Sequence, residues 1–222
     1  MDSLPNLLNG LYITLLLTFL SLALGFVLGI LLALGRVYGN KIISGICLGY
    51  IEIIRGTPLL VQLFIIYFGL PQMGISLNPI TAASIGLTLN SGAYQAEYLR
   101  GSIQSIESGQ MIAARTLGMT KIQSIKNIIL PQALRISIPA WSNELIYLIK
   151  YTSIAYIIQV EELTAEGKFI AAETFRYLEI FTIIALIYLI LTFVLTEIID
   201  KIDDRLSIPG IGVGKSLELR GL

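Results

Sequence analysis

The 222-residue sequence has no histidine and a single cysteine, Cys47. One cysteine excludes a disulfide within the chain. Without histidine the commonest general base and metal ligand is missing. No acidic or thiol cluster at ligand spacing and no nucleophile–base pair stands in for it, so enzyme chemistry in this chain is not expected. Charge is also scarce: 14% of residues are charged, and fifteen basic residues balance fifteen acidic ones. That balance points away from nucleic acid or a strongly anionic partner. The N-terminal stretch MDSLPNLL has neither a basic region nor a small-residue cleavage site, so a cleaved signal peptide is not expected.

What fills the sequence is apolar. Hydrophobic residues make up 55% of it and the mean hydropathy is +0.79, outside the range of soluble domains. The apolar residues come in runs near the ~20 that a spanning helix needs, not in the alternation of outer-membrane strands. An all-α integral membrane protein embedded in a lipid bilayer follows, read as one transmembrane domain with spans at about 9–35, 46–70, 79–101, 134–158 and 178–199. Gly56, Thr57 and Pro58 interrupt the second span and predict a kink, because proline removes a helical hydrogen bond. Basic residues divide unevenly between the two faces. One receives Arg36, Lys41, Arg100, Arg115, Lys121, Lys126, Arg135, Lys201, Arg205, Lys215 and Arg220; the other receives Lys168 and Arg176. The positive-inside rule then puts the C-terminus and the 102–133 loop in the cytoplasm, and the N-terminus, the PQMGISLNP turn and the 160–177 segment outside.

The 102–133 loop is not an ordinary connector. Leu117, Ile122, Ile125 and Ile128 recur among polar residues at nearly helical spacing. Gly118 is placed to end a first short helix in the left-handed conformation. Thr120 and Gln123 form a T-x-x-Q capping box that starts a second helix in a new direction, and Pro131 is expected to end it. Two short helices meeting at an angle, with the small residues Ala113 and Ala114 on the first, make a knob suited to a groove on another protein. The plainer alternative is an amphipathic hairpin lying on the membrane.

This loop resembles the EAA motif of permease subunits of ABC importers, E-A-A, three residues, Gly, nine residues, I-x-L-P. Ala113, Ala114, Gly118, Ile128, Leu130 and Pro131 occupy matching positions, and Ile112 stands where the family has glutamate. RGTPLLVQLF at 55–64, SGAYQAEYLRGSIQSI at 91–106 and NELIYLIKYTS at 143–153 extend the likeness to the polar amino acid subgroup. The resemblance implies a coupling helix, with Ala113, Ala114, Leu117 and Gly118 as contact residues, docking into a separate ATP-binding subunit. It also implies two such ATPases carrying ATP and Mg, a second permease chain and an external amino-acid-binding protein. The chain itself is expected to hold no cofactor and no metal. PGIGVGKS, Pro209 to Ser216, has the Gly-Lys-Ser end of a phosphate-binding loop, but Pro209 stands where the first glycine is required and only Leu217–Leu222 follow. It is read as a chance resemblance.

Ionisable residues inside spans mark pathways or sites. The third span places Asn90, Tyr94, Glu97 and Gly101 on one face, and the fourth places Asn143, Glu144, Tyr147, Lys150 and Tyr151 on one face. A free amino acid needs an anion or acceptors for its ammonium and donors for its carboxylate. Glu144 is the first candidate for the cationic end, with Tyr94 or Tyr147 adding a ring face. The backbone at Gly56 and Thr57, or Arg55, would supply donors. Arg55 has a structural alternative in pairing with Glu52, Glu97 has one in Arg100, and Lys150 is a candidate partner for Glu144. The 160–177 segment reads as a solvated amphipathic helix, part of which would touch the binding protein. Together these features describe the permease of an ATP-driven amino acid importer working by alternating access in a bacterial inner membrane, with a slight lean to basic amino acids. An ATP-independent secondary transporter or channel is the alternative.

Overall fold

A computed structural model describes residues 3–206, with side-chain environments for 4–201. PGIGVGKS and the basic residues Arg205, Lys215 and Arg220 lie outside the latter limits. The described chain is helical with no strand: α1 Ser3–Tyr38, α2 Lys41–Gly56, α3 Leu59–Phe64, α4 Pro79–Ser105, α5 Ser108–Thr116, α6 Lys121–Ser124, α7 Leu130–Ile136, α8 Ile138–Tyr151, α9 Leu163–Thr174 and α10 Tyr177–Leu206. Among the described residues, Leu4–Tyr38 and Tyr177–Lys201 are each long and apolar enough to cross a membrane, and the bent pair Lys41–Gly56 and Leu59–Met73 makes a third candidate. At 27 residues, α4 is about 40 Å long at 1.5 Å per residue. The fourth expected span is divided among α7, α8 and the 3-10 turn Thr152–Ile158.

The kink at Gly56–Pro58 is a sharp break, with 103° between the two arms. Its hydrogen bonds are replaced locally. Pro58 has no N–H to give the Ile54 carbonyl, and Gln62 Nε2 donates there instead at 2.7 Å. The Thr57 hydroxyl donates to the Ile53 carbonyl at 2.8 Å. Freed carbonyls are thus satisfied by side chains.

Pro131 does not end its helix, contrary to the expectation from sequence. It sits in the first turn of α7, where a missing N–H costs nothing. A π-turn over Ile125–Ile129 precedes it, and the Leu130 N–H reaches back to the Ile125 carbonyl. The wider turn lets the helix run through the proline. The same device precedes Pro71, where the Leu70 N–H reaches the Ile65 carbonyl after a π-turn over Ile65–Gly69.

Helix α4 is the axis of the bundle and α1 lies along it. Gly25 and Gly29 let the two backbones approach: a Cβ on Gly25 would lie 3.1 Å from the Gly92 nitrogen. Two apolar clusters form around this pair. One gathers Leu17, Leu59, Leu63, Ala82, Ala83 and Leu87 with Leu148 and Ile158; the other gathers Ala33, Leu99, Ile103, Ile129 and Ala133. Leu87 and Leu99 are separated by about 18 Å of helix. The buried residues between them include Asn90, Ser91 and Gln95.

Helix α9 is not the solvated amphipathic helix expected from its charges. It packs between α1 and α10, burying Leu163, Gly167, Ile170 and Ala171. Glu162 is fully buried. Its Oε1 caps α9 by accepting from the Ala165 N–H at 2.9 Å, and its Oε2 accepts from the Tyr188 hydroxyl at 2.8 Å. The Leu163 N–H donates to Thr14 Oγ1 at 3.2 Å. Burial of a carboxylate here is matched by donors, as a low-dielectric site demands.

Candidate functional site

Between the two apolar clusters lies a polar layer built chiefly from α4. Asn90, Ser91 and Gln95 are all buried there; Ser91 and Gln95, four apart, stand one above the other on the helix. Asn90 Nδ2 donates to Gln62 Oε1 at 3.2 Å, which ties the layer to the break after α2. Gln95 Nε2 donates to Ser91 Oγ at 2.9 Å and to the Leu22 carbonyl of α1 at 3.2 Å. Ser91 Oγ donates to Glu144 Oε1 at 2.7 Å, and the Tyr98 hydroxyl donates to Glu144 Oε2 at 3.3 Å.

Glu144 is only 5% exposed, so the α8 stripe read from the sequence divides. Glu144 turns in toward α4, whereas Asn143, Tyr147, Lys150 and Tyr151 are exposed. Tyr147 and Tyr151 stack with centroids 6.2 Å apart. Lys150 does not meet Glu144; its Nζ lies 5.0 Å from the Tyr147 ring centroid. Tyr147 and Asn143 therefore present a polar face outward from this chain.

The open side of the layer is formed by Arg55, Tyr94 and Glu97. Arg100 closes a short ion pair with Glu97, Nη2 to Oε2 at 2.8 Å, and its Nε donates to both carboxylate oxygens at 2.9 and 3.1 Å. Glu97 thus has the structural partner foreseen for it. Arg55 does not pair with Glu52. Its Nη1 lies 3.9 Å from Glu97 Oε2, and its guanidinium sits 5.1 Å from the Tyr94 ring centroid. The structure therefore brings Arg55, Tyr94 and Glu97 together, places Asn90 and Glu144 behind them in the layer, and leaves Asn143 and Tyr147 on another face. Gln62, Ser91, Gln95 and Tyr98 belong to the layer without having been singled out by sequence. Ser91 and Tyr98 lie one helical turn either side of Tyr94, a spacing that would have found them.

The second feature is the knob at the end of the bundle where the 102–133 loop folds. Gly118 has φ +88 and the Met119 N–H donates to the Ala114 carbonyl at 3.2 Å, which closes α5 as the sequence predicts. The Thr120–Gln123 capping box is complete on both sides. Ala113 is exposed, as are Ile112, Leu117 and Ile122. Ala114 is 4% exposed, so it faces into the hairpin instead of outward with Ala113. Leu117, at 83% exposure, is the most prominent apolar side chain of the tip.

A helical bundle with apolar spans, a hydrogen-bonded polar layer between two apolar clusters and an exposed apolar knob at one end has the build of a membrane transport subunit. Comparison with known proteins agrees. Residues 25–208 match the family model described as the binding-protein-dependent transport system inner membrane component, and the chain belongs to that family. It is 41% identical over 208 residues to the glutamine transport system permease protein of Escherichia coli (strain K12), covering 93% of this chain and 95% of that one. It is 40% identical over 208 residues to the nopaline transport system permease protein of Agrobacterium fabrum (strain C58 / ATCC 33970), covering 89% and 86%. Among solved structures, that of an amino acid ABC transporter with histidines superposes with a TM-score of 0.84 at 40% identity, covering 90% of this chain and 94% of that chain. The chain is a permease subunit of an amino acid ABC importer, embedded in the inner membrane, and ATP hydrolysis belongs to separate subunits.

Proposed function

We propose that this permease carries a polar amino acid through the seam between α2, α4 and α8, and that it is driven through the α5–α6 knob. The observation that carries the reading is the polar layer, whose open side joins an aromatic ring, a carboxylate and a guanidinium in Tyr94, Glu97 and Arg55. Those groups match an ammonium and a carboxylate. Asn90 and Glu144 support the site from behind, Glu144 as the buried acceptor of the Ser91 and Tyr98 hydroxyls; Asn143 and Tyr147 face the pathway shared with a second permease chain. Two arginines offset the charge of Glu97. That removes one of the two carboxylates on which a lean toward basic amino acids rested, so no side-chain charge is preferred in this reading.

The mechanism we assign is alternating access. Ala113, Leu117 and the left-handed Gly118 seat the knob in an ATP-binding subunit, two of which close on ATP and Mg, and an external binding protein delivers the amino acid. Helix α4 and the α7–α8 passage complete five spans as a single domain, with the N-terminus outside and the C-terminus in the cytoplasm, consistent with the distribution of arginine and lysine.

The test is amino-acid-stimulated ATP hydrolysis by the purified complex in liposomes. Wild type is expected to respond to an amino acid, and Tyr94→Ala and Glu144→Ala, assembled normally by size exclusion, are expected to lose the response. Uptake that proceeds with no ATPase subunit bound would instead favour the secondary transporter.

A further inference from the structure

The guanidinium of Arg55 stands where the cation of a ligand would be received. An aromatic face beside a carboxylate is a general receptor for organic cations, and here Tyr94 and Glu97 supply both, at 5.1 Å to the ring centroid and 3.9 Å to Oε2. The hold on Arg55 is weak. At 3.9 Å its nearest nitrogen makes no hydrogen bond to Glu97, whereas Arg100 donates to the same carboxylate through Nε and Nη2 and is itself fixed by Gln104 at 2.6 Å. Arg55 also lies in the last turn of α2, at the edge of the 103° break between the two arms of the second span. Its side chain is 36% exposed against 17% for Glu97. It is therefore the cation of the cluster that is free to move.

Charge decides what can displace it. Arg55 and Arg100 both face the one carboxylate of Glu97, so the clamp already holds more positive than negative charge. A bare amine entering the clamp would add a positive charge and strand Arg55 beside it, in a setting where like charges repel strongly. A zwitterion adds none, and its carboxylate gives the displaced guanidinium a fork-shaped partner. We propose that Arg55 is the residue that makes the site selective for ligands bearing a carboxylate. It fills the Tyr94–Glu97 clamp as an internal cation, and yields it to a ligand's ammonium only when the ligand's carboxylate draws the guanidinium away. This rests on the reading of the seam as an amino acid site.

The test compares ligand pairs that differ only in the carboxylate, L-glutamine with 4-aminobutanamide and L-arginine with agmatine, bound to the purified complex of permease and ATPase subunits without the external binding protein and followed by calorimetry. For the pair that binds, wild type is expected to favour the amino acid by about a hundredfold, the scale of a charge-assisted hydrogen-bonded pair. Arg55→Ala is expected to bring that ratio below about tenfold, weakening the amino acid and strengthening the amine, with Arg55→Lys in between. An unchanged ratio in Arg55→Ala and Arg55→Gln, or an equal loss for both members of the pair, overturns the proposal while leaving the amino acid site standing. If wild type binds none of a panel of free amino acids that includes these two, the site reading itself fails and the role of Arg55 falls with it.

Discussion

Ser91 on α4 and Glu144 on α8 are joined by a 2.7 Å hydrogen bond at a depth where apolar packing lies both above and below. This bond links the two helices that carry most of the charged and aromatic residues of the seam. Ser91→Ala would leave Glu144 with the longer bond from Tyr98 at 3.3 Å. A buried carboxylate short of a donor costs about 1–3 kcal/mol. The purified complex with Ser91→Ala is therefore expected to melt at a lower temperature than wild type, and Tyr98→Phe to melt between the two. Equal melting temperatures for all three would show that water replaces the serine without loss.

Gln62 closes the break after α2. Its Nε2 serves the Ile54 carbonyl and Thr57 Oγ1, at 2.7 and 2.9 Å, and its Oε1 accepts from Asn90. Gln62→Leu keeps the volume and removes all of these bonds, stranding the Ile54 carbonyl and the Asn90 amide. A loss of about 2 kcal/mol or more is expected from two unsatisfied groups, read as a fall in the denaturation midpoint together with loss of amino-acid-stimulated hydrolysis. Gln62→Glu restores an acceptor for Asn90 and should recover less than half of either.

Close packing of α1 on α4 gives a ranking that distance alone would reverse. A Cβ on Gly92 would come within 2.7 Å of Leu28 Cδ2, nearer than the 3.0 Å from a Cβ on Gly25 to Gln95 Nε2. Yet Leu28 Cδ2 and Cγ can turn away, leaving its Cβ at 3.2 Å, while a Cβ on Gly25 meets both the Gly92 nitrogen at 3.1 Å and Ser91 Cβ at 3.2 Å, which no rotamer change relieves. Gly25→Ala is expected to be the more damaging, within the ~1–3 kcal/mol typical of overpacking. Thermal melting of the two single variants checks the order; a larger fall for Gly92→Ala would contradict it.

Features set by local chemistry were legible in the sequence. The break at Gly56–Pro58, the left-handed Gly118 and the Thr120–Gln123 box each depend on what one or two residues can do with a neighbouring backbone. Features set by tertiary partners were less so. Pro131 reads as a helix end until a π-turn absorbs it, and nothing in IKNII signals that turn. Glu162 and Glu166 read as solvated because their burial depends on Thr14, Gly10 and Tyr188, far away in sequence. Glu144 shares its helical face with Tyr147 and Lys150 by spacing, but only the position of Ser91 shows that it turns inward. The site was thus half visible: its helices and several of its residues could be named, while the pairing of Arg55 with Glu97 over Glu52 needed three dimensions.

The knob offers a separation of folding from coupling. Gly118 holds φ +88 with nothing within 4 Å of a Cβ placed on it beyond its chain neighbours, so the main cost of a side chain there is its backbone conformation. For a β-branched residue that cost is about 1–2 kcal/mol or more. Gly118→Val is expected to lower the melting temperature of the complex and to weaken coupling, because α5 loses its closing turn. Leu117 is 83% exposed, and Leu117→Asp removes no packing inside the chain. Its melting temperature should match wild type while transport and amino-acid-stimulated hydrolysis fall at least about tenfold, the effect of burying an unpaired charge in a protein interface. If Leu117→Asp transports normally, the tip does not enter a partner's groove, and an amphipathic hairpin resting on the membrane becomes the better account of the loop.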